Sequence, residues 1–160
     1  MLSFVIKFLL AIFVIIVLIG SFRTWQLQND PRQVIFSAGT VPNPLPDGFY
    51  KGTVSGEEYS WLGKKFDAAN SKGINVFNDG FDSRNERHVF ITYLGKESYN
   101  KNHDVLKLDY NIPGNPFRLR LFSDEIVQIA PDEYLGKSQL RIIPGFAFGL
   151  SYFELKKTSQ

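Results

Sequence analysis

An apolar segment close to the N-terminus is the feature that most constrains how this chain can fold. The run Phe8–Ile19 (FLLAIFVIIVLI) contains no polar residue, and its neighbours extend it to residues 4–22 with Lys7 as the single charge. These 19 residues, at about 1.5 Å rise each, come close to the length that crosses a hydrocarbon core of about 30 Å. The segment also has no polar face to meet water. We therefore predict a single-pass transmembrane anchor over residues 1–25.

Charged and aromatic residues mark both ends of the predicted anchor. The stem of Lys7 can carry its ammonium back to the headgroups, while Arg23 and Trp25 prefer the opposite membrane interface. A cleaved signal peptide is the alternative, but the positions before Ser21 and Phe22 lack the small-x-small pattern of a cleavage site. Because the N-terminal flank is short, we expect it inside and the globular domain on the periplasmic or extracytoplasmic side.

The remaining composition removes several classes of function. The chain has no cysteine, which excludes disulfides, thiolate metal sites and cysteine nucleophiles. Beyond residue 32 the acidic and basic side chains are equal in number, so nucleic acid is not an expected partner. His88 and His103 have no partners at metal-ligand spacing, and we expect both at the surface. No metal or cofactor is predicted.

A proline-containing linker is expected between the anchor and the domain, over residues 26–46. Pro42, Pro44 and Pro46 each fix φ, remove a backbone donor and disfavour helix in the preceding residue. We expect an extended spacer, with one short strand at Gln33–Phe36, that holds the domain away from the bilayer.

Short aromatic and β-branched runs, separated by turn residues, predict a β domain over residues 47–160. Aromatic residues make up 15% of the chain and suit the half-buried face of a sheet. Several runs alternate with period two, and Leu106, Leu108 and Tyr110 then share one face. The expected strands are 48–54, 88–94, 105–110, 117–122, 125–130, 134–143 and 146–155. Only residues 57–72 could hold a helix.

The connections between these runs are short and rich in proline, glycine and aspartate, which favours hairpins over helical crossovers. A sheet that closes on itself hides the edges of its first and last strands. We therefore predict a mainly β chain with an antiparallel β-barrel of about seven to eight strands.

One four-residue pattern occurs three times, at Trp61–Lys64, Tyr93–Lys96 and Tyr134–Lys137. Each copy is an aromatic residue followed by Leu-Gly-Lys. None has the G-x-x-x-x-G-K-[ST] spacing of a phosphate-binding loop. We interpret the copies as strand ends or bulges, each with its lysine in solvent. No motif with a catalytic mechanism is found, so the interpretation leans against an enzyme while leaving that question open.

The segment Gly48–Gly52 (GFYKG) resembles the signature of the GXWXG family of bacterial domains. It is also similar to the glycine-x-tryptophan opening of lipocalins and other calycin barrels. Residues Trp61–Phe66 resemble the segment that follows in the GXWXG family, and Tyr50 stands where those families have tryptophan. The resemblance implies a small lipocalin-like barrel whose interior holds an apolar ligand, and it implies no catalytic residues.

Two functions are compatible with a barrel behind a membrane anchor. The first is a binding module for a hydrophobic small molecule or lipid, since a barrel of about eight strands leaves room for one small ligand. The candidate ligand-binding residues, chosen by strand face and aromatic character, are Tyr50, Trp61, Phe66, Phe90 and Tyr110. The alternative is an accessory subunit of a membrane complex, with a filled barrel and no ligand.

Overall fold

The structure, a computed structural model, describes residues 2–54, 60–78 and 84–158. Two helices come first, α1 (Leu2–Gln28) and α2 (Arg32–Ala38), and strands follow. The strands are β1 (Gly48–Val54), β2 (Trp61–Asp67), β3 (Lys72–Asn78), β4 (Arg84–Lys96), β5 (Asp104–Asp109), β6 (Phe122–Ala130), β7 (Glu133–Ile143) and β8 (Phe146–Lys157).

α1 is the apolar helix that the sequence predicts. It is long and apolar enough to cross a membrane, and most of its side chains are exposed. Lys7, Arg23 and Trp25, the predicted interface residues, all lie on its exposed surface. Leu27, near the C-terminal end, is buried against the barrel. The apolar part of the helix therefore projects beyond the rest of the molecule.

The eight strands form one closed antiparallel barrel in which each strand pairs with the next along the chain. β8 closes the barrel against β1, with Gly52 opposite Leu155. The prediction of a mainly β chain with an antiparallel barrel is confirmed. Because neighbouring strands alternate in direction, β1, β3, β5 and β7 all finish at the same end of the barrel.

α1 packs along the outside of β8, and the two elements run in the same direction. The contacts, in order along both, are Gly20 with Phe148, Thr24 with Gly149, and Leu27 with Tyr152. At the first, a Cβ added to Gly20 would come within 2.4 Å of the Phe148 ring. At the second, the amide of Gly149 donates to Thr24 Oγ1 at 2.9 Å. We call this set of contacts the joint.

The joint gives the two ends of the barrel different surroundings. β8 begins at the end where β7 finishes, and its start lies toward the apolar part of α1. We call this the anchor end, and the opposite one the distal end.

Aromatic side chains fill the distal half of the barrel. Tyr50 contacts Phe66 and Tyr134 edge to face, with ring centroids 5.7 and 5.2 Å apart. Phe66 packs in the same way on Phe90 at 5.5 Å. This geometry suits the aromatic quadrupole and adds to the gain from burial. The distal half is therefore a packed core rather than a channel.

α2 packs against the outer faces of β6 and β7, so the strand expected at Gln33–Phe36 is wrong. Pro31 holds a helical backbone, and the Asp30 carboxylate accepts the amide of Arg32 at 2.9 Å, which stabilises the first turn. Phe36 is fully buried against the barrel. Together with the joint, α2 places the barrel directly beside α1.

Two other expectations differ from the structure. The described part of residues 57–72 holds β2 and a 3₁₀ turn at Ala68–Asn70 instead of an α-helix. The strand expected at 117–122 is a loop with a 3₁₀ turn at Leu119–Leu121, before β6 begins. Its cause is Pro116, whose carbonyl accepts the amides of Leu119 and Arg120 and so starts a turn.

Candidate functional site

A cavity of about 210 Å³ occupies the anchor half of the barrel interior. Val54, Trp61, Phe77 and Phe122 line it, and all four lie at or next to the anchor-end termini of their strands. The cavity therefore opens toward the anchor end. We call it the barrel cavity.

Small inward-facing residues shape this space. Gly52 on β1 makes room for the ring of Trp61, because an added Cβ would come within 2.4 Å of that ring. Ser138 on β7 and Ser151 on β8 are partners across the two strands, and both line the cavity. Larger side chains at these positions would fill the anchor half, as aromatic residues fill the distal half.

A buried ion pair forms the floor of the cavity. Lys64 on β2 is 3% exposed, and its ammonium donates to Asp124 Oδ2 at 2.8 Å. It also donates to the Tyr110 hydroxyl at 2.6 Å and to Asn75 Oδ1 at 2.9 Å. The three N–H groups thus have three partners within the protein. A buried charge requires such pairing, because its desolvation is otherwise very costly.

Four aromatic rings surround the same ammonium. Nζ of Lys64 lies 5.1–5.4 Å from the ring centroids of Trp61, Phe90, Tyr110 and Phe153. The faces of aromatic rings carry negative potential and attract a cation within about 6 Å. The rings and the Asp124 carboxylate together offset the cost of removing the Lys64 charge from water.

The surroundings shift the pKa of two groups at the floor. Burial lowers the pKa of Lys64, and the Asp124 carboxylate opposes that shift. Burial, followed by the charge of Asp124, raises the pKa of Tyr110 well above its usual value, so the phenol stays protonated. Tyr110 donates to Asp124 Oδ2 at 2.9 Å. The floor thus offers an ammonium, a carboxylate and a neutral phenol beside apolar walls.

The structure divides the five sequence-predicted ligand residues into two groups. Trp61 and Tyr110 line the barrel cavity. Tyr50, Phe66 and Phe90 belong to the packed core, where their rings contact one another. Binding of a ligand by any of the five stays a prediction.

Lys64 and Asp124 are residues of the candidate site that the sequence analysis missed. The lysine of each Leu-Gly-Lys copy was expected in solvent, which is correct for Lys96 at 51% exposure and wrong for Lys64 and Lys137. One signal was present, because Lys64 is two residues from Phe66 and therefore shares its strand face. An inward aromatic residue at that position implies an inward lysine.

A second buried polar cluster lies outside the barrel, beneath α2, and we call it the helix-side network. Lys137 on β7 pairs with Glu97, and its ammonium lies 4.0 Å from the centroid of the Phe36 ring. His103 Nδ1 lies 2.8 Å from Glu97 Oε2, and its Nε2 lies 2.9 Å from the Gly39 carbonyl oxygen. His103, expected at the surface, instead joins the loop after β4 to the end of α2.

Glu97 is the centre of this network. Burial raises its pKa, but hydrogen bonds from Lys137 and His103 outweigh burial, and the net shift is downward. Gln33 on α2 connects Glu97 to the joint, because its side chain donates to Glu97 and accepts a hydrogen bond from the Tyr152 hydroxyl at 2.7 Å. The network is thus a structural attachment between the helices and the barrel.

No family model, no curated protein and no solved structure matches this chain. The resemblance of Gly48–Gly52 to GXWXG-type and lipocalin-like barrels therefore stays a prediction from those residues.

Proposed function

We propose that this chain is a membrane-anchored binding module for a hydrophobic small molecule or the end of a lipid. The observation that carries the proposal is the barrel cavity, which has aromatic walls and a buried ion pair at its floor. Ligand sites in proteins are concave, mostly apolar, and supplied with a few convergent polar groups. The barrel cavity has each of these features.

The size of the cavity limits the ligand. Its volume of about 210 Å³ is below the roughly 300–1,000 Å³ of sites that enclose drug-sized molecules. A small molecule fits whole, and a longer one fits by one end. A ligand with a polar end that donates a hydrogen bond gains most, because the Asp124 carboxylate has lone pairs left to accept it, while the apolar part contacts Trp61 and Phe153.

The position of the mouth favours a ligand that comes from the bilayer. The cavity opens at the anchor end, which the joint sets toward the apolar part of α1. With α1 across a membrane, that end faces the lipid surface. The short N-terminal flank favours an extracytoplasmic barrel. Protease added to right-side-out membrane vesicles tests this placement, since a barrel on the other side would stay intact.

Fluorescence of Trp61 tests ligand binding directly. The chain has two tryptophans, Trp25 and Trp61, so a Trp25→Phe variant leaves one reporter, in the cavity wall. We expect octanoate or octanol, titrated into the full chain in lipid nanodiscs, to shift the emission of Trp61 saturably. Ser151→Phe should abolish the shift, because the added ring fills the cavity.

The matched control is Thr53→Phe. Thr53 pairs with exposed Glu154 on the outer side of the barrel, so the same ring added there should leave the response intact. Circular dichroism should show a folded barrel in both variants. An emission that ignores both probes, or a response that Ser151→Phe does not reduce, would contradict the proposal.

An accessory subunit of a membrane complex is the second candidate, and exposed apolar side chains on β4 favour it. Ile91 and Tyr93, two residues apart and therefore on the same outer face of the strand, are 42% and 45% exposed. Exposed apolar side chains of this kind on a folded domain often mark a protein contact. Tyr93→Glu should then shrink the native complex on a native gel, while Lys65→Glu on β2 should not. A complex of unchanged size in both variants argues against this candidate.

A further inference from the structure

The tip of the β7–β8 hairpin, residues 142–150, is a segment that neither the barrel cavity nor the helix-side network uses. Residues 142–150 (IIPGFAFGL) contain no charge. Ile142, Phe146 and Leu150 are 36%, 44% and 39% exposed. Soluble monomers rarely leave a contiguous apolar tip in water, so this segment indicates contact with an apolar medium.

The joint fixes the position of the hairpin relative to α1. Phe148 contacts Gly20, which lies three residues, or about 4.5 Å along the helix, from Arg23 on the apolar side. Because α1 and β8 run in the same direction, the turn at Pro144–Gly145 lies further still toward the apolar part of α1. In a bilayer whose interface is marked by Arg23 and Trp25, the tip reaches below the headgroups.

Basic residues line a groove beside this hairpin. The groove has a volume of about 590 Å³, and Lys101, Arg120 and Arg141 are among the residues that line it. None of the described residues that line it is acidic. Asp109 pairs with Arg141 from beside the groove. The lining therefore keeps a net positive charge.

Apolar side chains rim the basic groove on its exposed side. Phe117, which lines the groove with Phe146, is 74% exposed. A groove that is lined by both cations and exposed aromatic rings matches a bilayer surface, where phosphates lie next to acyl chains. The guanidinium of Arg120 presents the paired N–H donors that suit phosphate oxygens. Charge and apolar surface thus point to the same occupant.

We propose that the β7–β8 hairpin enters the interfacial layer of the bilayer and that the groove binds the phosphate of an anionic phospholipid. The proposal rests on α1 as a membrane anchor and does not require a ligand in the barrel cavity. It gives the barrel a second attachment to the lipid, beside α1, and it accounts for the uncharged run at 142–150.

The depth of the hairpin can be measured with a tryptophan substituted at its tip. We would place Phe146→Trp in a Trp25→Phe/Trp61→Phe background and reconstitute the full chain in nanodiscs that contain brominated phosphatidylcholine. We expect quenching several-fold stronger than in Lys72→Trp, whose position is exposed at the distal end of the barrel. Equal quenching at the two sites would overturn insertion of the hairpin.

Lipid selectivity tests the groove. The full chain, extracted from equimolar phosphatidylcholine and phosphatidylglycerol, should retain several-fold more phosphatidylglycerol in native mass spectrometry. Lys101→Gln/Arg120→Gln should remove most of this preference. Lys51→Gln/Lys156→Gln is the matched control, because it removes two exposed charges near the distal end. Equal retention of both lipids, or a preference that survives Lys101→Gln/Arg120→Gln, would overturn the groove as an anionic lipid site.

The two proposals can fail separately. Emission of Trp61 reports on the barrel cavity, while quenching at position 146 and lipid retention report on the outer surface. A barrel that binds octanoate but shows no lipid preference would retain the proposed function and lose this inference.

Discussion

Lys64 and Lys137 end two copies of the same four-residue pattern, yet they lie on opposite sides of the barrel wall. Lys64 pairs with Asp124 in the interior, whereas Lys137 pairs with Glu97 outside, beneath α2. Both are almost completely buried, and both lie near aromatic rings. The comparison shows that a short sequence pattern determines neither the face of a residue nor its exposure.

The backbone of β2 explains the difference in face. In regular alternation, residues three apart point to opposite sides, as in β7, where Tyr134 faces the core and Lys137 the outside. In β2 the register shifts between Trp61 and Gly63, so Trp61 and Lys64 both face the interior. Gly63 permits this shift, because its φ is 138° and an added Cβ would lie 2.0 Å from a carbonyl oxygen of β1.

We call Lys64 and Asp124 the inner pair, and Lys137 and Glu97 the outer pair. The largest expected loss of stability follows from a substitution at the inner pair. Asp124→Ala leaves the Lys64 ammonium, which is 3% exposed, without its carboxylate at the floor of the barrel cavity. We expect the free energy of unfolding to fall by about 3–5 kcal/mol. Denaturant unfolding of the full chain in detergent micelles, followed by Trp61 emission in the Trp25→Phe background, measures this loss.

The control for this prediction is the double substitution Lys64→Met/Asp124→Leu. It removes both charges and should recover most of the lost stability. A loss below about 1 kcal/mol in Asp124→Ala, the range of exposed ion pairs, would mean that the pair is solvated.

The bulge is expected to give the next largest effect. Gly63→Ala places a Cβ against the backbone of β1 in a conformation that L residues rarely adopt, and we expect a loss of roughly 2–3 kcal/mol. Gly95, in the second copy of the pattern, would meet the Lys107 side chain at 3.1 Å, so Gly95→Ala should cost less than about 1 kcal/mol. Equal losses would show that Gly63 does not set the face of Lys64.

A substitution at the outer pair should lower the stability less than one at the inner pair, and it should loosen only the structure around it. Glu97→Gln removes the carboxylate that pairs with Lys137, but α2 and the loop after β4 can move away and admit water. We expect a loss of about 1–2 kcal/mol, with faster amide hydrogen exchange confined to α2 and residues 97–103. Faster exchange throughout the barrel, as expected for Asp124→Ala, would show that the two pairs are equivalent.

The smallest expected effect is the dependence of stability on pH at the outer pair. Burial raises the pKa of Glu97, but hydrogen bonds from Lys137 and His103 lower it by a larger amount. The pKa in the folded state therefore lies below the usual 4.5. A carboxylate of this kind contributes its full stabilisation of the folded state at pH values above its pKa in the unfolded chain. That contribution is lost as the pH falls through its pKa in the folded protein. The stability difference between the wild type and Glu97→Gln should therefore shrink below about pH 4.5. A difference that stays constant in acid contradicts this assignment.

Local patterns account for the predictable part of the fold. β1 begins and ends where the sequence places it, at Gly48 and Val54. Leu106 and Leu108 of β5 belong to the barrel core, as their alternation requires. β2 is harder to predict, because its inward face carries Lys64, and a charged residue on an apolar face breaks the pattern of a strand.

The ion pairs depend on partners that only the closed barrel brings together. Lys64 and Asp124 are 60 residues apart in the chain, and Lys137 and Glu97 are 40 apart. No local pattern encodes either distance. Trp61 and Tyr110, by contrast, could be selected from their aromatic character, although Tyr50, Phe66 and Phe90, selected in the same way, belong to the packed core. An aromatic barrel interior was therefore predictable, and the ion pair at the floor of its cavity was not.

The joint connects α1 directly to the barrel. α1 continues unbroken from Leu2 to Gln28, and its last turns are held to β8. In a bilayer spanned by α1, a change in the tilt of the helix would then tilt the barrel as well. Since bilayer thickness influences the tilt of a spanning helix, a thicker or thinner membrane would change the angle at which the opening of the barrel meets the lipid.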